Sequence, residues 1–177
     1  MRATRFYDIL AVSKVQPICR EPSTGRYTAL TVLADSGLLI AAVNRGDRYH
    51  TWATRHLLAA RRRSTKIAVP DLVVGEAFTK LRYDKRVSPR NDANIAMMVF
   101  GLVDSAPELF ELRSVDGGTY QKTRDVLAKY IDQSFSYVDA VIFSIVDDDP
   151  SINQVLTIDG RDFTVYRFRH TVEIVLP

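Results

Sequence analysis

The chain has 177 residues, 46% of them apolar and 25% charged, which excludes disordered, collagenous and fibrous classes and fits one globular domain with a short appendage. A domain of about 150 residues buries roughly 70% of its unfolded surface and needs no disulfide or metal staple; with Cys19 the single cysteine and no apolar run near the roughly 18 residues of a spanning helix, a cytoplasmic protein without a membrane partner is expected. The net charge of +3 comes entirely from residues 1–29, which hold five basic and two acidic residues, so the remainder is neutral and is not a basic domain.

Residues 1–29 show no steady period, contain Pro17 and the turn-like EPSTGR, and are expected to be an extension of a domain spanning residues 30–177. The stretch LTVLAD is a β-branched apolar run closing on Asp35 and predicts the first strand. Helical spacing follows over 47–63, IAVP predicts a second strand, and helical spacing resumes over 71–84 and 89–104. FELRSV predicts a third strand, residues 119–130 and 136–146 are helical, and VLTID and VEIVLP give a fourth and a fifth strand. Strands alternating with helices predict an α/β fold, a three-layer α/β/α domain with a five-stranded, mainly parallel sheet and right-handed crossovers.

Charge is sorted along this order. From Arg55 to Lys66 there are five basic residues and no acid, whereas Asp132 to Asp162 holds seven aspartates against Arg161 alone. A fold that gathers the acids in a cleft with basic residues on its rim would hold a divalent ion and attract a polyanion. On that reading Arg61, Arg62 and Arg63 touch the substrate; on the plainer one they are the solvated end of a helix, complementing its dipole.

Ligands of an open parallel sheet bind beyond the carboxyl ends of its strands. Asp35 directly follows the first strand and Asp159 directly follows Val155–Ile158. Glu76 lies about one and a half turns into the helix after IAVP. Ser136 and Asp139 have capping-box spacing, which puts Asp139 in a first helical turn, and Asp162 is a fifth acid three residues beyond Asp159. Such carboxylates cannot all stay ionised side by side without cations. Mg²⁺ or Mn²⁺ resolves the conflict and supplies phosphodiester chemistry, and no Cys or His cluster offers a zinc site. Taken singly, each aspartate is as readily a cap or turn former. Glu76 is flanked by Val73, Val74, Ala77 and Phe78, where an unpaired carboxylate would be costly.

These residues resemble the PIN-domain family of nucleases, which includes the toxin halves of VapBC-type toxin–antitoxin pairs. VLADSGLLIAAVNRGDRYHTWA looks like the family's opening strand, first acid and hydroxyl (Asp35, Ser36) and D-x-x-H helix start (Asp47, His50). VPDLVVGEAFTKL matches the second block at Glu76, SYVDAVIFSI the third at Asp139, and LTIDGRDF the fourth at Asp159 and Asp162. The resemblance covers roughly residues 30–177. It implies a Mg²⁺- or Mn²⁺-dependent endoribonuclease, commonly a homodimer. Asp35, Glu76, Asp139 and Asp159 would be catalytic metal ligands joined by Asp162, and Ser36 would bear on a phosphate or a ligand. It implies an RNA substrate and, for a toxin, an antitoxin partner whose C-terminal segment occupies the acidic cleft. Two departures stand out: the 29 residues before the first strand, and Gly37, where a larger residue is usual and whose freedom is expected to loosen the turn.

His50 and His56, six apart, face different sides of one helix and are expected in surface or packing roles; Trp52 and Tyr49 are expected in the core or a dimer contact rather than stacked on RNA bases. Asp147 to Asp149 before Pro150 predict a solvated turn. The alternative function is a catalytically silent PIN-like module that binds RNA or protein without cutting.

Overall fold

The computed structural model describes residues 31–88 and 93–177; the expected extension over 1–29 lies outside the described residues. Five strands, β1 (Thr31–Ala34), β2 (Lys66–Pro70), β3 (Phe110–Arg113), β4 (Ile152–Leu156) and β5 (Glu173–Val175), form one sheet. Among the described residues seven helices join them: α1 (Ser36–Val43), α2 (His50–Arg62), α3 (Asp71–Tyr83), α4 (Ala93–Asp104), α5 (Gly117–Lys129), α6 (Tyr137–Asp148) and α7 (Arg161–Val165).

The strand order is β3-β2-β1-β4-β5 and every pairing is parallel. The short β-branched and apolar runs explain why: β1 is buried along its whole length and β2 from Ile67 onward, as strands covered on both faces must be. Steps from β1 to β2 to β3 run one way across the sheet and later steps run the other. Right-handed crossovers therefore place α1–α4 on one face and α5–α7 on the opposite face. The order reverses between β1 and β4, and the loops leaving these two strands diverge there.

Helix α1 packs against α2, α3 and α4, and α5 packs on α6. Periodicity predicts nothing for Ser36–Val43, yet it is a helix, and all eight residues are buried. In α6, the capping box of Ser136 and Asp139 forms as the spacing predicts, and Ala140–Val146 are all buried. Phe143 stacks on Tyr166 with ring centroids 4.2 Å apart.

Asp147 to Asp149 do not form a solvated turn. Asp147 and Asp148 belong to the last turn of α6. The Asp147 side chain is only 6% exposed and accepts from the Tyr166 hydroxyl at 2.8 Å and the Arg169 amide at 2.9 Å. Asp148 pairs with Lys122 and Asp149 with Arg113 at 3.0 Å. Asp147 pins the chain after β4 back onto α6, while Asp148 and Asp149 tie the end of α6 to α5 and β3, which a local reading of three aspartates before a proline does not disclose.

Candidate active site

The reversal point of the sheet carries Asp35, the residue after β1 and the N-cap of α1. Its carboxylate is buried and held from both sides. The Ser36 amide donates to Oδ1 at 2.6 Å and the Thr157 hydroxyl, just past β4, donates to Oδ2 at 2.8 Å. Thr157 is itself fixed, because its oxygen accepts the Asp159 amide at 3.1 Å. Burial pushes the Asp35 carboxyl up from 3.8 to about 6; the bonds from Thr157 and Ser36 oppose the rise, and the negative charges of Glu76 and Asp139 add to it.

Glu76, on α3, has a side chain 23% exposed and sets its Oε1 3.1 Å from the Lys80 ammonium one turn on. The same ammonium donates to Ser36 Oγ at 3.5 Å. Asp139, in the first turn of α6, accepts the Ser136 amide at 2.9 Å. Burial raises its pKa, the Ser136 bonds oppose this, and the charges of Asp162 and Glu76 push further upward. Helices α3 and α6, which come from opposite faces of the sheet, meet here.

Asp162 opens α7 with its carboxylate 3.1 Å from Arg161 Nε and its side chain 18% exposed. Asp159 is exposed and accepts the Arg161 amide at 3.3 Å. Asp35, Glu76, Asp139 and Asp162 are thus linked through mutual repulsion, while Asp159, between β4 and α7, is exposed. Among the described residues, no group of three carboxylate, imidazole or thiolate side chains is gathered tightly enough to hold one ion as it stands. The donor set itself fits a hard divalent ion: anionic oxygens only, the most buried of them destabilised by its neighbours' charge.

Arg61, Arg62 and Arg63 are not brought to these acids. They are exposed and end α2, which feeds the start of β2, and Arg61 lies 3.8 Å from Glu108 ahead of β3. That is the amino edge of the sheet, opposite the cleft. His50 bonds the Ala41 carbonyl at 2.7 Å and His56 packs against Trp52, which is buried; both histidines serve packing, as expected. Two site residues escape the sequence reading. Thr157 was visible only as the threonine of the LTIDGRDF block, and Lys80 only through its four-residue spacing from Glu76.

Gly37 does not loosen the turn. A Cβ there would collide with Ile158 Cγ1 and lie 2.9 Å from its Cδ1, so glycine lets α1 pass directly against the loop that carries Thr157 and Asp159.

No family model matches the chain, and no curated protein matches it. Solved structures do. VapC20 of Mycobacterium tuberculosis, described as a Sarcin-Ricin loop cleaving toxin, superposes with a TM-score of 0.61 at 20% identity, covering 77% of this chain and 96% of that one. VapBC2 of Rickettsia felis, solved bound to a DNA fragment from its promoter, gives 0.55 at 13% identity over 82% of this chain and 98% of that one. In its all-parallel five-stranded sheet and its helical layers, the chain has the fold of these VapC-type structures, the PIN fold that its sequence resembles.

Proposed function

We propose that the protein is a divalent-metal-dependent endoribonuclease, the toxin component of a toxin–antitoxin pair. One observation carries the reading: at the sheet's reversal point a buried carboxylate, Asp35, is fixed by Thr157 and the Ser36 amide while facing the charges of Glu76 and Asp139. A purely structural cap has no use for like-charged neighbours that raise its pKa. The likeness to a toxin described as Sarcin-Ricin loop cleaving supports RNA as the substrate class, and the likeness to a VapBC structure supports an antitoxin partner. Met97 and Phe100, exposed on one face of α4, support association into a homodimer.

Asp35, Glu76 and Asp139 would hold Mg²⁺ or Mn²⁺, with Asp159 from the β4–α7 loop and Asp162 from the first turn of α7 completing the set. Bound there, the ion would lower the pKa of a water and offset charge on the phosphate oxygens. The chain's own contribution is orientation. Thr157 and the Ser36 amide keep the Asp35 carboxylate in one rotamer, the capping box does the same for Asp139, and the buried floor of α1 excludes water from beneath the site.

Purified protein with Mn²⁺ should cleave a mixed RNA pool internally, and Asp35→Asn and Asp139→Asn should each lower the rate about a hundredfold or more. Equal rates in all three proteins would refute the mechanism. The catalytically silent module finds support in the Lys80–Glu76 and Arg161–Asp162 pairs, which neutralise two of the acids. Calorimetry separates the readings, because a module binds no Mn²⁺ at millimolar concentration.

A further inference from the structure

We infer that Lys80 is a tethered counter-ion that takes the place of a divalent cation on Glu76 and thereby sets the metal affinity of the site; this rests on the metal-dependent reading above. An exposed lysine–glutamate pair one helical turn apart is ordinarily a marginal surface contact. This pair differs in three respects. Its acid is three-quarters buried, on a helix that packs against both α1, which Asp35 caps, and α6, which carries Asp139. The ammonium also reaches across to Ser36 Oγ, on the residue whose amide holds the Asp35 carboxylate, so it bridges α3 to the start of α1 rather than decorating α3 alone. Among the described residues, Arg161 also lies beside the acids, and it pairs with Asp162 rather than with Glu76.

The charge balance follows from these contacts. Without an ion, Glu76 would confront Asp35 and Asp139 as a third negative charge in a poorly hydrated site, and the Lys80 ammonium offsets part of that cost. A divalent ion that takes Glu76 as a ligand competes with the ammonium for the same carboxylate, weakening the 3.1 Å ion pair and gaining a positive neighbour. The Lys80 side chain is 44% exposed, so its head can swing to water on a flexible stem. Lys80 therefore holds the metal-free site together and opposes metal entry, two effects of opposite sign on two measurements.

The test compares wild type, Lys80→Met and Lys80→Arg, with Mn²⁺ alone as the probe in titration calorimetry and a chelator-treated thermal melt as the second readout. Lys80→Met should bind Mn²⁺ about tenfold more tightly and melt a few degrees lower in chelator, while Lys80→Arg, which keeps the charge, should stay near wild type on both. A lowered melting temperature with unchanged or weaker Mn²⁺ binding would make Lys80 a merely structural lysine and overturn the inference alone. Absence of Mn²⁺ binding in every protein would overturn the metal-dependent reading and this inference with it.

Discussion

The Asp35 carboxylate has two hydrogen-bond donors and still keeps its proton far above the ordinary 3.8, at about 6, because burial and the charges of Glu76 and Asp139 outweigh Thr157 and Ser36. A carboxyl whose pKa is higher in the folded than in the unfolded chain favours folding when protonated, so in metal-free protein this group costs stability above pH 6 and ceases to do so as pH falls toward 4. The difference between 3.8 and about 6 corresponds to about 3 kcal/mol at neutral pH and above. In chelator at pH 8, Asp35→Asn should melt about 5 °C above wild type, with the gap closing between pH 7 and pH 4. A gap independent of pH would show that the carboxylate is not destabilised by its surroundings. On the proposed metal-dependent reading the ordering should reverse with saturating Mn²⁺ at pH 8, where the wild type should gain stability that the variant does not. The placement of Asp35, Glu76 and Asp139 was legible in the sequence because each sits a fixed distance past a strand or a cap. What holds Asp35 was not, since Thr157 is 122 residues away and only the folded sheet sets β1 beside β4.

Among the elements, the strands and the amphipathic helices could be read from local patterns, whereas α1 and α7 could not. Helix α1 is buried on every side and so loses the polar face that generates a 3.6-residue period; α7 has five residues, too few for any period. Gly37 marks the tight crossing of α1 with the β4–α7 loop, and its role is room rather than backbone freedom. Gly37→Ala should therefore cost about 1–3 kcal/mol, despite alanine's better helix propensity. The variant should also lose cleavage activity, because the displaced loop carries the hydroxyl that orients Asp35. In the background of Ile158→Ala, which removes the colliding Cγ1 and Cδ1, the same Gly37→Ala change should become neutral or stabilising. Denaturant melts of the four proteins measure the coupling directly, and an unchanged penalty in the Ile158→Ala background would place the strain elsewhere.

At the scale of the whole molecule, a parallel sheet separates what the sequence left merely sorted: every strand starts at one edge and ends at the other. The acids after β1 and β4, in the second turn of α3 and in the first turns of α6 and α7 fall at the carboxyl edge. The basic run falls at the amino edge, where Ser64, in the left-handed region at φ 53°, turns the chain from α2 into β2. Strands of four or five residues at roughly 3.3 Å each put about 15 Å of sheet between the two edges, so Arg61, Arg62 and Arg63 cannot touch a phosphate at the cleft. The rim of basic charge expected beside the acids is instead supplied by Lys80 and Arg161, single residues inside the acidic segments rather than a cluster. Replacing Arg61, Arg62 and Arg63 together by alanine should leave the melting temperature unchanged, because their one ion pair, to Glu108, is exposed and 3.8 Å long. It should also leave the single-turnover cleavage rate at saturating RNA within about twofold of wild type, since no charge near the reacting phosphate is altered and screening over that distance in physiological salt is nearly complete. A loss of rate approaching that of Asp35→Asn would mean that the substrate wraps from one edge of the sheet to the other and that the basic helix end belongs to the site after all.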